Sequence, residues 1–226
     1  MKENTEFKDK GAIYVATGTK YIEMALQSAK SLKKHNPNLP IHLFTDVSEI
    51  NSPYINSTEL LTEPHKRSKV DCMHNTPFDQ TLFLDADTFV LDKLDDLFDL
   101  LKRFDLAMSH AHRRNNARNT RTWKTTIPYS FPQLNSGVIL YNKSKTNKLF
   151  IDWQNAYHEA GFSSDQVTLR ELIWESQLNL GVLPPEYNIR FKKFLNIWTK
   201  EEVKPKILHY EEFTVFFDWA SKTLNQ

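Results

Sequence analysis

Two aspartates, Asp85 and Asp87, follow the short apolar run at residues 82–84, with one residue between them. Carboxylates this close repel each other unless a cation joins them, and hard divalent ions such as Mg²⁺ and Mn²⁺ take oxygen ligands of this kind. We therefore predict a divalent cation here, shared with the phosphates of a ligand. The alternative is that the two aspartates only begin a turn. The later aspartates of the segment suit a helix N-terminus and a solvent-facing surface: Asp92, Asp95, Asp96 and Asp99.

Other cation and phosphate motifs fit the sequence less well. An EF-hand loop would need a third oxygen ligand and then a glycine, where this chain has Phe89 and Val90. A phosphatase with an aspartate nucleophile would carry DxDx[TV], and Phe89 occupies the last position, so a phosphatase is only a minor alternative. The 5 glycines form neither GxGxxG nor GxxxxGK[ST], which argues against a Rossmann dinucleotide site and a P-loop.

The composition predicts one globular domain over residues 1–226, with a polar extension at 1–10 and an aromatic tail at 211–226. The chain has 226 residues, of which 40% are hydrophobic and 25% charged, and its net charge is +1. No general attraction to nucleic acid is therefore expected. Cys72 is the only cysteine, so no intrachain disulfide and no cysteine zinc site can form. A reducing, cytoplasmic location is expected.

Contact with a membrane would be peripheral at most. The N-terminal residues lack the apolar core of a signal peptide, and no apolar run approaches the roughly 18 residues of a transmembrane helix. The tail at 211–226 is expected to pack in the core or in a homodimer rather than on a membrane surface. Its aromatic residues are Phe213, Phe216, Phe217 and Trp219.

Strand-like and helix-like segments alternate along the chain and must position these residues. Apolar runs predict strands at 11–17, 41–45, 82–84, 137–141 and 206–210. The alternation predicts an α/β fold with a mostly parallel sheet flanked by helices. Ligands lie beyond the carboxyl ends of such strands. The polar residues that follow these strands are therefore expected to converge: Thr17, Asp46, Asp85 and His209.

Helical spacing of apolar residues predicts helices between these strands. One is expected at 21–34 and another at 92–103 with Asp92 as its N-cap. A third should begin near Gln166, because Ser163 precedes Gln166 by the spacing of a capping box.

The segment FLDADTFVL is similar to the DxD segment of GT-A glycosyltransferases of the glycogenin and bacterial lipopolysaccharide galactosyltransferase kind, the family 8 group and its relatives. Further segments resemble other motifs of that group, and they occur in the same order. They are IYVATGTKY followed by IHLFTD, then HKRSKVDC, LNSGVILYN, SSDQVTL and KILHY. The resemblance covers about residues 11–210 and implies a GT-A fold that binds a nucleotide-diphospho-sugar.

The resemblance also implies residue roles. Asp85, Asp87 and His209 would hold Mn²⁺ or Mg²⁺, which bridges the diphosphate of a sugar nucleotide, with UDP favoured. Gln166 would lie near the anomeric carbon, and Asp165 would hold sugar hydroxyls and be the one candidate nucleophile. The residues that would bind the nucleotide and the sugar are Ala16, Thr17, Tyr21, Lys69, Asp85, Ala86 and Asn135.

Each assignment has a structural alternative. Asn135 could bond only a loop backbone, Gln166 could close a capping box, and His209 could be an ordinary buried histidine. The remaining alternatives are a carboxylate that only stabilises a helix N-terminus, an ordinary surface lysine, a helix cap and a core aromatic: Asp165, Lys69, Thr17 and Tyr21.

The chain is accordingly expected to be a metal-dependent glycosyltransferase with a nucleoside-diphosphate-sugar donor and a hydroxyl acceptor on a glycan, a lipid-linked molecule or a protein. The metal and Lys69 would stabilise the negative charge that grows on the departing diphosphate. The acceptor would attack an oxocarbenium-like carbon, with retention of configuration. The alternative is a sugar-nucleotide-binding protein without turnover.

Two stretches depart from the family pattern. HYEEFTVFFDWASK begins at His209, where close relatives continue with a glycine and a Lys-Pro-Trp stretch that binds the diphosphate; Lys222 is one candidate to replace it. Residues 106–151 contain no acidic residue, while Arg113, Arg114 and Arg118 lie in a segment at 110–133 without apolar periodicity. We expect 110–133 to be a mobile loop that closes over the donor phosphates or binds an anionic acceptor. The alternative is a solvated basic loop.

Overall fold

Residues 8–114 and 121–210 are described in a computed structural model, and their strands form two sheets. The strands are β1 Lys8–Ala16, β2 Ile41–Thr45, β3 Ser57–Leu60, β4 Phe78–Leu84, β5 Thr88–Val90, β6 Leu106–His110, β7 Leu134–Asn142, β8 Leu180–Leu183 and β9 Ile207–His209. Seven form one sheet in the order β3-β2-β1-β4-β7-β6-β8, and β5 pairs with β9 in the other. In the larger sheet only the pairs made by β7 are antiparallel. The predicted mostly parallel α/β sheet is confirmed.

Five α-helices connect the strands in the described part of the chain. They are α1 Thr19–His35, α2 Lys69–Cys72, α3 Lys143–Ala160, α4 Gln166–Glu175 and α5 Lys192–Leu195. Short 3₁₀ helices cover Met73–Asn75, Asp95–Lys102 and Pro185–Tyr187. None of the helices in the described ranges is long and apolar enough to cross a membrane.

The core lies on both faces of the larger sheet because side chains alternate along each strand. On β1, Ala12 and Tyr14 join a cluster with α1, whereas Ile13 joins a cluster that contains Trp153 of α3. β4 and β7 divide their residues between the same two clusters. A strand buried on both faces reads as a continuous apolar run, which is why these strands were visible in the sequence.

Two predicted helix caps are wrong, although α4 begins at Gln166 as predicted. The segment at 92–103 forms a 3₁₀ helix that begins after Leu94, and Asp92 is not its N-cap. The Asp92 carboxylate instead pairs with Lys204 and Lys206, at 2.7 Å each, and so ties the chain just before β9 to this turn. The capping box before α4 is also wrong, because no side-chain bond caps that helix. The Asp92 carboxylate forms long-range ion pairs with two lysines instead of a helix cap. The spacing of residues in the sequence does not indicate such pairs.

Some predictions fall outside the described ranges. These concern Arg118, Lys222 and the aromatic tail at 211–226. The polar extension expected at 1–10 overlaps β1, which already begins at Lys8. The short strand β3 was not predicted, since its residues are mostly exposed and carry no apolar run.

A buried chain of hydroxyl groups links the core to the turn that contains Asp85 and Asp87. Thr88 Oγ1 donates to the Asp85 carbonyl at 2.8 Å, so it must accept from Ser28 Oγ, 2.7 Å away. Ser28 Oγ in turn accepts from the Tyr14 hydroxyl at 2.9 Å. All three hydroxyl-bearing residues are fully buried. Strand β1 and helix α1 therefore fix the backbone from which both carboxylates project.

Replacing Thr88 by valine keeps the shape of the side chain and removes the hydroxyl. We expect Thr88→Val to lower the free energy of unfolding by about 1–3 kcal/mol, because the Ser28 hydroxyl loses its buried acceptor. Urea titration followed by circular dichroism measures the change. Thr88→Ser is the matched control, since it keeps the hydroxyl and should retain the hydrogen-bond chain. Equal stability of wild type and Thr88→Val would contradict the role given to this chain.

Candidate functional site

Polar residues from four strands meet at one edge of the larger sheet. The parallel pairing of β1 with β2 and β4 brings Thr17, Asp46 and Asp85 together there, as predicted. Asp46 accepts the Gly18 backbone N–H at 3.0 Å from each carboxylate oxygen. β7 runs antiparallel, so its first residues reach the same edge, and the Gly137 carbonyl accepts the Asp85 N–H at 2.8 Å.

His209 reaches this edge from the smaller sheet, not from the larger sheet as predicted. The pairing of β5 with β9 sets Thr88 opposite His209, and the Tyr210 N–H donates to the Asp87 carbonyl at 3.0 Å. His209 Nε2 lies 3.2 Å from Asp87 Oδ1 and 3.5 Å from Asp85 Oδ2. One ligand atom from each residue lies within 4.8 Å of the other two. These three residues form what we call the metal group.

A chain of hydrogen bonds orients the His209 ring. Asn135 Oδ1 accepts the Gly137 N–H at 3.1 Å and an Asn188 Nδ2–H at 2.9 Å. Because the nitrogen of the Asn188 amide faces Asn135, its oxygen is the atom that faces His209. That oxygen lies 2.7 Å from His209 Nδ1, so Nδ1 carries the proton and donates it. Nε2 therefore faces the two carboxylates. Metal-bound histidines in proteins are oriented by such a bond to their other ring nitrogen.

The metal group fits a divalent cation. Burial favours the neutral His209 ring, yet the charge of Asp87 and the hydrogen bonds that the ring donates to both carboxylates raise the pKa of His209. A cation would take the place of that extra proton between the carboxylates. A Cβ at Gly137 would overlap the His209 ring and approach Asp85 Oδ2 to 2.8 Å, so only glycine leaves room here. Carboxylate oxygens with one imidazole suit Mn²⁺ or Mg²⁺.

Lys69 joins the metal group to a second buried carboxylate. Its ammonium lies 3.1 Å from Asp85 Oδ1, 3.4 Å from Asp165 Oδ2, and 3.0 Å from both the carbonyl and the hydroxyl oxygen of Ser136. Lys69 is only 6% exposed, so the alternative of an ordinary surface lysine is wrong. Burial favours its neutral form, but Asp165 and Asp85 raise the pKa of Lys69, which keeps it cationic.

Asp165 is buried, and both of its oxygens have partners. Oδ2 accepts the Ser136 hydroxyl at 2.5 Å, and Oδ1 lies 3.4 Å from Arg67 Nε. Burial opposes its ionisation, but Lys69 and Arg67 hold the pKa of Asp165 below its usual range. The side chain is thus an anion with its charge balanced. Asp165 is therefore better suited to holding its neighbours in position than to attacking a sugar carbon as a nucleophile.

The cleft beside the metal group has a volume of about 580 Å³. Asp85, Lys69, Asn135, Asp165, Gln166 and His209 line it, whereas Ala16, Thr17, Tyr21 and Ala86 lie outside this lining. Tyr21 is 43% exposed, so the alternative of a core aromatic is wrong. The alternative of Thr17 as a helix cap is also wrong, because no side-chain bond caps α1. The lining residues that sequence reasoning missed are Lys20, Arg67, Ala111, His112, Ser136, Ser164, Arg190, Phe191 and Tyr210.

Two of the missed residues change the electrostatics of the cleft. Arg190 Nη1 lies 4.0 Å from Asp87 Oδ2. Burial, with Arg190 and other nearby positive charges, lowers the pKa of His112 to about 4, so this ring is neutral at pH 7. Ser136 lay within a recognised motif and could have been found there. His112 lies within the segment 110–133 that was expected near the donor phosphates, although it was not singled out there. No sequence signal marked Arg190, which reaches the cleft from a loop.

The described part of the basic segment is held against α4. The buried carboxylate of Glu171 accepts the backbone N–H groups of Trp123, Lys124 and Thr125. Arg170 donates to the carbonyls of Pro128 and Phe131 at 3.2 and 2.8 Å. Residues 121–133 therefore form an irregular segment that hydrogen bonds anchor to α4, while residues 115–120 of the predicted loop lie outside the described ranges. Arg113 at its other end lines the cleft.

We expect Asn188→Ala to weaken Mn²⁺ binding by about 10–100-fold, because His209 loses the acceptor that orients its ring. Isothermal titration calorimetry with Mn²⁺ alone measures the affinity. Asn188→Asp is the matched control, since it keeps an oxygen for His209 Nδ1–H and should bind more tightly than Asn188→Ala. Unchanged Mn²⁺ affinity in Asn188→Ala would show that the ring is oriented by other contacts.

Comparison with solved structures identifies the fold of the chain. No family model matches the sequence, and no curated protein matches it. Its structure is similar to the crystal structure of the galactosyltransferase LgtC in complex with donor and acceptor sugar analogs, at a TM-score of 0.68 and 15% identity, over 94% of this chain and 95% of that chain. An active-site mutant of LgtC matches with the same TM-score and coverage at 13% identity. The chain therefore has the GT-A fold, with a mostly parallel seven-stranded sheet flanked by helices.

Proposed function

We propose that this protein is a metal-dependent glycosyltransferase that moves a sugar from a nucleoside-diphosphate-sugar, a UDP-sugar above all, to a hydroxyl acceptor with retention of configuration. The observation that carries the proposal is the convergence of Asp85, Asp87 and His209 beside Lys69 at the carboxyl edge of the sheet. The fold shared with a galactosyltransferase supports the reaction class by analogy. The acceptor would be a glycan, a lipid-linked molecule or a protein.

The metal group would hold Mn²⁺ or Mg²⁺, which supplies Lewis-acid stabilisation of the negative charge on a departing diphosphate. Lys69 adds a positive charge beside the same carboxylate, 3.1 Å from Asp85 Oδ1. Because Lys69 is buried, its charge is less screened than on the surface and acts more strongly on a developing anion.

Cationic side chains in the cleft support a diphosphate site although the family's Lys-Pro-Trp stretch is missing after His209. Lys20, Arg113 and Arg190 line the same cleft as two members of the metal group, Asp85 and His209. Guanidinium groups bind phosphate oxygens through two parallel hydrogen bonds. We assign Arg190 to the donor phosphates, because its guanidinium lies 4.0 Å from the Asp87 carboxylate.

The reacting sugar is assigned to the polar residues of the cleft that lie outside the metal group. Gln166, the first residue of α4, lines the cleft and is placed near the anomeric carbon. Asp165 keeps Lys69 and Ser136 in position and, with Asn135, faces the sugar hydroxyls. The acceptor hydroxyl then attacks on the face that the diphosphate leaves, which retains the configuration without a protein nucleophile.

The nucleoside is assigned to the junction of β1 and α1. Lys20 of this junction lines the cleft, and Ala16, Thr17 and Tyr21 are its neighbours in sequence. The exposed ring of Tyr21 offers a flat surface on which a base can stack. Ala86 would lie under the ribose.

The location and the assembly are part of the same proposal. We propose a cytoplasmic enzyme, which the single buried Cys72 supports, with a homodimer as a possible assembly.

Calorimetric titration of UDP, GDP, CDP and dTDP, with and without Mn²⁺, tests the proposal. We expect Mn²⁺-dependent binding of UDP, and release of UDP from one UDP-sugar when an acceptor is added. Asp87→Asn removes one carboxylate charge from the metal group and should lower turnover by about 100-fold or more. Asp99→Asn is the matched control, because Asp99 is an exposed aspartate that pairs only with a lysine in its own 3₁₀ helix among the described contacts.

The outcomes separate the proposed function from its alternatives. Full activity in Asp87→Asn would refute the assignment of the site. Tight UDP binding without release of UDP from any sugar donor would favour a sugar-nucleotide-binding protein. A covalent aspartyl phosphate formed on Asp85 would instead identify a phosphatase.

Arg190→Gln separates donor binding from metal binding. We expect UDP affinity in the presence of Mn²⁺ to fall by about 10–100-fold, because a charge-assisted hydrogen bond contributes about 1.5–3 kcal/mol. The affinity for Mn²⁺ alone should stay within about three-fold of wild type, since Arg190 is not in the metal group. Arg103→Gln, on an exposed turn, is the control. Unchanged UDP affinity in Arg190→Gln would show that Arg190 does not bind the diphosphate and that other cationic groups do.

A further inference from the structure

Three side chains outside the cleft converge on one another at the surface. His65 precedes α2, Asp71 lies within α2, and His158 lies in the last turn of α3. The Nε2 atom of His65 lies 2.5 Å from Asp71 Oδ2, and that of His158 lies 2.7 Å from Asp71 Oδ1. None of the three lines the cleft, and the proposed transfer reaction uses none of them.

The chemistry of this cluster differs from that of the metal group. It offers two imidazole nitrogens and one carboxylate, and these ligand atoms lie within 4.8 Å of one another. Imidazole ligands suit Zn²⁺ and related transition-metal ions, whereas carboxylates suit Mn²⁺ and Mg²⁺. The side chains are 31%, 24% and 52% exposed for His65, Asp71 and His158, so an ion can enter and water can fill its remaining positions.

We propose that His65, Asp71 and His158 form a second metal site that binds Zn²⁺, independently of the metal group in the cleft. The ligand atoms now lie at hydrogen-bond distances. Ligand atoms about 2.0–2.2 Å from a tetrahedral Zn²⁺ lie roughly 3.3 Å from one another, so each nitrogen would move away from the Asp71 oxygens by roughly 0.6–0.8 Å. Rotation of partly exposed side chains provides this movement without a change in the backbone.

One existing contact must change when the metal binds. His65 Nδ1 accepts the Arg67 backbone N–H at 3.2 Å, which places the ring proton on Nε2. A metal at Nε2 moves that proton to Nδ1, so the Arg67 N–H must turn to another acceptor such as water. Because a metal ion and an added proton compete for the same imidazole nitrogen, Zn²⁺ binding should weaken at low pH, as expected for any histidine ligand.

The site would tie α2 to α3. α2 has four residues, fewer than an isolated helix needs for stability, and it carries Lys69 between His65 and Asp71. The His65 ring also stacks on Tyr157 of α3, with 6.0 Å between ring centroids. A Zn²⁺ ion shared by these two helices would stabilise the segment that holds Lys69 against Asp85 and Asp165.

The number of metal ions that the untagged, metal-free protein binds per chain tests the site. Zn²⁺ and Co²⁺ are titrated into wild type and three variants, with calorimetry and visible absorption as the readouts. We expect about two equivalents to bind to wild type, and about one equivalent to each of Asp87→Asn and His158→Ala. His35→Ala is the matched control, because His35 lies on α1 outside both clusters, and it should bind about two.

A second measurement keeps the test decisive if a variant folds poorly. X-ray absorption of Asp87→Asn loaded with one equivalent of Zn²⁺ should show two imidazole ligands. Zn²⁺ should raise the unfolding temperature of Asp87→Asn but not that of the double variant with His158→Ala. No tight Zn²⁺ binding by Asp87→Asn, or unchanged binding by His158→Ala, would overturn the second site. Neither result bears on UDP binding, so the two proposals fail separately.

Discussion

Three carboxylates concentrated at one edge of the sheet impose the constraint on which the rest of the site depends. Asp85, Asp87 and Asp165 lie where burial opposes ionisation, and each keeps a lowered pKa because positive charge surrounds it. Lys69 lies between Asp85 and Asp165, and His209 lies between Asp85 and Asp87. Removing one positive partner would leave a buried negative charge unbalanced, which costs far more than the loss of a surface ion pair.

The scaffold supplies each of these charges from a different part of the chain. The hydroxyl chain from Tyr14 fixes the turn after β4, and α2 delivers Lys69. The ion pairs of Asp92 with Lys204 and Lys206 hold the approach to β9, and β9 delivers His209. The site is therefore a product of long-range packing. Its geometry is set by rigid elements on both faces of the sheet, with an irregular segment held by Glu171 at its rim.

Much of the site could be predicted because it is built from short segments whose local chemistry is distinctive. A carboxylate pair after a buried strand indicates a cation wherever the strand lies, so the spacing of Asp85 and Asp87 is informative by itself. Lys69, Asn135, Asp165 and His209 were found by resemblance of their segments to a family, and all line the same cleft. Asn188 and Arg190 were missed, because their importance comes from contacts with residues distant in sequence. Asn188 contacts Asn135 and His209, and Arg190 contacts Asp87.

The sequence by itself determined the alternation of strands and helices, the edge where Thr17, Asp46 and Asp85 meet, and the residue types available for a cation. Those features depend on local periodicity and on strand direction, which short segments encode. Only the tertiary structure decided that β7 runs antiparallel, that His209 arrives from a second sheet, and that Asp92 pairs with lysines instead of capping a helix. It also brought His65, Asp71 and His158 together. Contacts across long stretches of chain depend on the packing of the whole core, and no spacing rule in the sequence records them.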